Sequence, residues 1–372
     1  MVARHRRLGR FAGAALAVVL IAGLPALVGA RSSPPDRARV TARQVLAAIR
    51  ASAGKTYSGY AESHGDAAIP DIAQLGSLPS LLGDTTRLRV WWSGSDQWRV
   101  DQLGSTSEND TYAYPGGTWE WASSTRTATA VSGVSPIRLL RPADLTPDQL
   151  GRRLAALADA PSSHVVRTGA RRVAGRTALG VQITGGANTT VATLDIWADG
   201  TTGVPLAVYV TARGQARPTI SSSYLSFDPS APKASTTTFR PPADAKTQEI
   251  DDRSLRGLLG RLHPLLAPEQ VVGLPSTEVI PGQTGVATYG SGLAQLAVVS
   301  LSRGDAEGLA RDLARVAQTD GSTSTVSTPL VNLVLVRNGW RNLLAAGSVP
   351  LPTLRTAADQ LLDAPPLFGQ PT

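Results

Sequence analysis

Apolar and polar residues alternate with a period of two through much of the chain, and that alternation marks its strands. In Arg87-Leu88-Arg89-Val90-Trp91-Trp92, the residues Leu88, Val90 and Trp92 share one face while Arg87, Arg89 and Trp91 share the other. Ser93-Gly94-Ser95-Asp96 reads as a turn, after which Trp98 and Val100 alternate with Gln97, Arg99 and Asp101, predicting a hairpin. Asp110 to Tyr114, a Pro115-Gly116-Gly117 turn, Thr118 to Trp121 and Thr127 to Val131 continue the meander. Further strands are predicted at Val165-Val166, Thr177 to Thr184, Val191 to Ala198, Val204 to Thr211 and Ile220 to Phe227, with a last one at Phe239. Leu194 and Ile196 form one stripe, and Leu206, Val208 and Val210 form another.

Two helices interrupt this pattern. Val45, Leu46 and Ile49 fall on one helical face behind Thr41 as N-cap, and Leu150, Leu154 and Leu157 recur at i, i+4 and i+7 behind Thr146 and Pro147. The second helix is expected to cover an opening of the sheet. From Pro241-Pro242 onward the prolines thicken around a short helical patch at 252–262, and a second unit follows. It reads as α+β, with strands at 293–301 and 331–337 and helices at 305–316 and 351–362. The expected organisation is a targeting segment at 1–30, a tether at 31–40, a β-rich domain at 41–245, a linker at 246–284 and a small α+β domain at 285–372. No internal repeat is visible.

The first ten residues are basic and residues 11–30 carry no charge, the n-region and h-region of an export signal. Small residues at Val28-Gly29-Ala30 favour cleavage after Ala30; retention would leave a membrane anchor, since twenty apolar residues reach about 30 Å. Either outcome places the body outside the cytoplasmic membrane. The net charge of +8 owes half to Arg4, Arg6, Arg7 and Arg10, and the remaining basic residues are scattered, so nucleic acid is not expected as a partner. A hydrophobic share of 42% excludes a wholly disordered chain, and 36 Gly with 26 Pro favour turns and short strands.

Catalytic chemistry finds no foothold. With no cysteine there is no thiol nucleophile, disulfide or Cys-ligated metal, and His64, His164 and His263 form no zinc motif. No nucleophile elbow, Walker loop or dinucleotide fingerprint occurs. The expectation is a non-enzymatic protein with no cofactor and no metal. Five of the seven tryptophans (Trp91, Trp92, Trp98, Trp119 and Trp121) crowd into the first meander. An aromatic core would account for them, and so would a groove for an apolar ligand, because Trp is too bulky to bury easily in numbers.

The order of features resembles the LolA-like lipoprotein-carrier superfamily, most closely its exported actinobacterial members. The residues carrying the resemblance are Arg87-Leu88-Arg89-Val90-Trp91, Gln97-Trp98-Arg99-Val100, Gly117-x-Trp119-x-Trp121, Val173-Ala174-Gly175-Arg176 before Leu179-x-Val181-x-Ile183, Leu194-x-Ile196-Trp197-x-Asp199, Gly203-Val204-Pro205-Leu206, and Phe239-x-Pro241-Pro242-x-Asp244-Ala245. It implies an unclosed antiparallel half-barrel plugged by helices and holding a lipid or the acyl chain of a lipoprotein. Tyr289-Gly290-x-Gly292-Leu293 and Gly347-x-Val349-Pro350 are similar in layout to the second domain of periplasmic sigma-E regulators of the RseB/MucB kind. That implies an alternative: a lipid-sensing regulator whose C-terminal domain binds a membrane-bound anti-sigma factor. The expected lipid-binding residues are Leu88, Val90, Trp92, Trp98, Val100, Tyr112, Trp119, Trp121, Leu194, Ile196, Leu206 and Val208. Trp92, Trp98, Val100, Trp119 and Trp121 are expected to share the concave face.

Overall fold

The computed structural model describes residues 40–72, 75–132, 140–159, 163–251, 262, 265, 267–277, 285–339 and 341–363. The targeting segment and most of the helical patch at 252–262 lie outside the described residues. Two meanders build the first sheet. One runs through β1 (Tyr57–Gly65), β2 (Thr85–Gly94), β3 (Gln97–Leu103), β4 (Glu108–Tyr114), β5 (Gly117–Ala122) and β6 (Thr127–Ser132). The other runs through β7 (His164–Val173), β8 (Arg176–Thr184), β9 (Val191–Asp199), β10 (Pro205–Ala212) and β11 (Ile220–Asp228). They join where β1 pairs antiparallel with β11, and β12 (Lys246–Asp251) adds a parallel partner to β6. The resulting order is β12-β6-β5-β4-β3-β2-β1-β11-β10-β9-β8-β7, so β12 and β7 are free edges and the barrel is unclosed.

Directly paired residues share a face, which fixes the two sides of this sheet. Leu88, Val90 and Trp92 of β2 oppose Gln102, Val100 and Trp98 of β3 and Ala61, Gly59 and Tyr57 of β1. Across the seam, Ile196 opposes Val208 and Val181, and Leu194 opposes Val210 and Ile183. This apolar inner face is covered by helices α1 (Ala42–Ala51) and α3 (Pro147–Ala156); α2 (Leu78–Gly83) packs beside β1 and β2. A capping box starts α1: Gln44 N–H donates to Thr41 Oγ1 (3.3 Å) while Thr41 N–H donates to Gln44 Oε1 (2.8 Å). Its Val45, Leu46 and Ile49 are buried, as the spacing predicts.

Helix α3 begins at Pro147 behind Thr146 as N-cap, as expected, and buries Leu150 and Leu154, but the Thr146 side chain makes no capping bond. The Thr146 hydroxyl donates to Ala143 O (3.0 Å) in the preceding turn. Close approach of α3 to the sheet depends on Gly151, where a Cβ would stand 2.5 Å from Pro205 Cβ and 3.2 Å from Val208 Cγ2. At Gly203, φ is +75° and a Cβ would lie 2.4 Å from Ala48 O, so the turn before β10 can reach α1 only as glycine.

One turn of helix, α4 (Ala234–Thr237), follows β11. Phe239, expected on a strand, lies outside any strand, and the chain there crosses the outer face toward β12. The stretch 246–284, expected to be a linker, contributes β12 to the first sheet and β13 (Gln270–Val271) and β14 (Leu274–Thr277) to the second. The second sheet continues with β15 (Val286–Ser291), β16 (Ala294–Leu301), β17 (Gln318–Asp320), β18 (Thr323–Ser327), β19 (Asn332–Asn338) and β20 (Arg341–Gly347), in the order β13-β14-β15-β16-β20-β19-β18-β17. Helices α5 (Arg303–Leu313) and α6 (Leu351–Asp363) pack against β19 and β20, and their buried residues belong to two separate apolar clusters.

The two sheets meet at the β8–β9 turn. Thr189 Oγ1 lies 2.8 Å from both Leu293 O and Ser348 O, Thr190 N–H donates to Ser348 O (3.0 Å), and Thr190 Oγ1 donates to Leu330 O (2.5 Å). Both threonines are buried, and the apolar cluster of the inner face extends into Leu293, Leu309 and Leu330 of the second sheet.

Gly151→Ala tests the packing of α3. In an open helix the change gains about 1 kcal/mol of propensity. Here it should instead lower stability by about 1–3 kcal/mol in urea unfolding, because the methyl meets the rigid Pro205 ring.

Candidate functional site

Nine of the twelve residues expected to bind lipid lie on or beside the inner face. Leu88, Val90, Trp92, Val100, Leu194, Ile196 and Val208 are buried there, Leu206 is buried at a bulge between Pro205 and Ala207, and Trp98 is half-buried. The Trp92 ring is parallel to Trp98 and to Tyr57, each at 6.0 Å between centroids, and its Nε1–H donates to Ala53 O (3.0 Å). In the described structure this apolar surface is filled by the protein's own helices.

Tyr112, Trp119 and Trp121 are on the opposite side, which corrects the expectation of a shared concave face. Val100 pairs with Thr111, so the intervening Arg99 pairs with Tyr112; Tyr112 in turn pairs with Trp119 and Asp110 with Trp121. Alternation within β4 and β5 groups these aromatics correctly, but the register passed on from β3 decides which way the group points. Thr111, Thr118 and Glu120 take the inner side of these strands instead. The outer aromatics receive Phe239, whose ring lies 4.8 Å from Tyr112, 5.7 Å from Trp119 and 6.0 Å from Trp121. Gln97 Nε2 donates to Thr237 Oγ1 (3.3 Å) before this contact, and an Arg126–Asp244 ion pair follows it.

A buried polar cluster sits within the inner face. Asp148, fully buried in the first turn of α3, accepts from Tyr57 OH on β1 (2.7 Å), Tyr224 OH on β11 (2.7 Å) and Arg152 Nη2 one helical turn on (2.9 Å). Arg152 Nη1 also donates to Tyr57 OH (3.2 Å), and its guanidinium lies over the Trp92 ring at 4.6 Å. Burial, and then the Asp148 charge, push the Tyr57 and Tyr224 hydroxyls well above their ordinary value, so both remain donors at any physiological pH. The cluster pins α3 to the floor of the half-barrel. Sequence reading missed it because an Asp in a first helical turn already has a role in complementing the helix dipole.

The outer face carries a second charged cluster. Asp101 and Asp110 sit directly opposite each other on β3 and β4, with Arg99 and Glu108 beside them. Burial above all, with the facing acidic groups adding, raises both aspartates from the usual 3.8 toward neutrality.

No protein-family model and no curated protein matches the chain. Among solved structures it is similar to MucB in the Pseudomonas aeruginosa MucA/MucB complex, with 17% identity, a TM-score of 0.49, and coverage of 85% of this chain and 96% of that one. A LolA-superfamily protein from Nitrosomonas europaea aligns at 15% identity and TM-score 0.24, over 54% of this chain and 98% of that one. A lipoprotein-sorting protein domain from Vibrio parahaemolyticus aligns at 10% identity and TM-score 0.21, over 47% of this chain and 72% of that one. The similar structures thus include both groups that the residue pattern resembles.

Two outcomes are expected. Asp148→Ala should cost about 3–5 kcal/mol in urea unfolding because it strands the Arg152 charge, whereas Tyr224→Phe, which removes one of three donors, should cost about 1.5–3 kcal/mol. The raised aspartates make the folded state bind protons more tightly than the unfolded one. Stability from this cluster is therefore greatest below the ordinary carboxylate value and falls as pH rises toward neutrality. Asp110→Asn should gain on the wild type steadily between about pH 4 and 7 in urea titrations; a constant difference would remove the linkage.

Proposed function

We propose that the chain is an extracytoplasmic, non-catalytic protein that holds an acyl chain against the inner face of its half-barrel, in the place α3 occupies when no ligand is bound. The observation that carries this reading is the Asp148 latch beneath a helix on a largely apolar floor. A helix that merely completed a core would gain nothing from a buried ion pair, since apolar replacements of such pairs are commonly neutral or stabilising. A latch of directional bonds gives α3 one defined closed position and a discrete way to leave it.

Magnitudes favour exchange. Leu145, Leu150 and Leu154 together gain on the order of 5–9 kcal/mol by burial, while an acyl chain of about fifteen methylenes gains about 12 kcal/mol on the same surface. The latch then sets the balance toward the closed state in the absence of lipid. Trp92 reports on opening, because Arg152 leaves its ring when α3 moves.

A second reading is a lipid-responsive regulator that acts on a protein partner such as a membrane-bound anti-sigma factor. It is favoured by the docking of the second sheet through Thr189 and Thr190, at the end of strands that line the inner face.

The test is titration with a fluorescent fatty-acyl probe. Tyr224→Phe should bind the probe more tightly than the wild type, because a larger open population raises apparent affinity. Val208→Trp, which fills the floor, should weaken it. Equal affinity in all three folded proteins, or no binding in any, would overturn the acyl-chain reading. Slower hydrogen exchange around Leu330 and Ser348 on probe addition would support the regulator reading, and no change there would remove it.

A further inference from the structure

The outer-face carboxylates form an arrangement that folding alone does not explain. Asp101 and Asp110 are directly opposed across β3 and β4, and like charges in that position destabilise a sheet. Glu108 lies two residues before Asp110 on the same face, and ligand oxygens of all three side chains lie within 4.8 Å of one another. Asp101 is fully buried and the Asp110 side chain is 7% exposed, while Glu108 is a third exposed and opens the cluster to solvent.

Two cations face this group. Arg99 Nε is 2.5 Å from Asp101 Oδ1, and its Nη2 is 3.1 Å from Asp110 Oδ2 and 3.4 Å from Glu108 Oε1. Arg89, from β2, reaches Glu108 Oε2 at a looser 3.6 Å. The Arg99 guanidinium is fixed by two rings, Trp91 at 5.0 Å and Tyr112 at 4.9 Å. Three carboxylates therefore share one firmly held cation. The deficit is visible in the bonding: Tyr112 OH donates to Asp110 Oδ2 (3.3 Å), but among the described residues no donor meets the buried Asp101 Oδ2 or Asp110 Oδ1.

We propose that Asp101, Glu108 and Asp110 bind a divalent, oxygen-preferring cation, calcium in particular. Oxygens sharing one calcium at 2.3–2.6 Å lie at most about 5 Å apart, a spacing these three side chains already meet. Asp101 and Asp110 each supply a buried ligand oxygen, Glu108 supplies a third, and water enters from its exposed side. Calcium is favoured over magnesium because the buried side leaves little room for the water shell that magnesium retains. Binding moves Arg99 Nη2 off Asp110 and Glu108 while the two rings keep the guanidinium nearby, so Trp91 emission reports the event.

The experiment is calcium chloride titration of the chelator-treated full chain, read by calorimetry, Trp emission and Tm. One calcium per chain is expected, with a Tm rise of about 2 °C at a concentration tenfold above Kd. Glu108→Gln, a change at a part-exposed site compatible with folding, should weaken binding at least tenfold, and Asp110→Asn should do the same. Arg99→Gln removes the competing charge and should bind calcium at least tenfold more tightly, with a more strongly calcium-dependent Tm. Absence of heat and of any Tm shift in the wild type would overturn the site. So would an unchanged response in Glu108→Gln, which would assign the calcium to other surface carboxylates. Magnesium binding as tight as calcium would overturn the choice of ion.

Discussion

A single buried carboxylate organises the first sheet. Tyr57 belongs to β1 and Tyr224 to β11, the two strands that join the meanders, and both donate to Asp148 of the helix lying over that seam. One group thus ties both strands of the join to α3, with Arg152 supplying its countercharge. Its neighbours follow from that placement. Arg152 lies over the Trp92 ring, and Gly151, on the next turn of the helix, must lack a side chain so that α3 can sit low enough to bring Asp148 to the tyrosines. Removing Asp148 leaves a buried cation, whereas removing one tyrosine leaves two donors, so the network is most sensitive at its centre.

The inner stripe was legible because alternation and burial point the same way there: Leu88, Val90 and Trp92 differ sharply from Arg87 and Arg89, and the helical spacing of Val45, Leu46 and Ile49 agrees with their burial. Trp119 and Trp121 were misplaced for a reason the alternation cannot reveal. Each strand of the meander carries apolar residues on one side, but β5 carries its largest on the side away from the helices, where Phe239 covers them. Nothing local in Asp228 to Thr238 shows that Phe239 will return across three strands. The latch was invisible for a related reason, since its members lie 91 and 76 residues apart and meet only after the two meanders pair.

The two faces solve different problems. On the inner side apolar area dominates, and the charged Asp148–Arg152 pair is buried there with hydrogen-bond partners on both members. The outer side holds charge and aromatic surface together. Arg99 between Trp91 and Tyr112 gains cation–π stabilisation while facing three acids, and a strap from α4 to β12 closes over the aromatics beside it. The strap also supplies β12, which pairs along the whole of β6 and takes its place as the edge of the sheet. A ligand entering the inner face and a cation bound outside would share β3, whose Val100 looks inward and whose Arg99 and Asp101 look outward.

Proline-rich composition between 241 and 285 suggests two loosely joined units, and composition is a poor guide to the contact that forms. Looseness would require a contact surface that is wet and undirected. Instead Thr189 and Thr190 are buried and bond to carbonyls of Leu293, Leu330 and Ser348, three separated points of the second sheet, which fixes orientation as well as proximity. Breaking that set would strand several buried polar groups at about 1–3 kcal/mol each, besides exposing the apolar cluster the two sheets share. A displacement of α3 on the inner face is therefore opposed by a frame held at the far end of β8 and β9. On the proposed reading, a ligand entering the half-barrel would displace the helix and leave the strands in place.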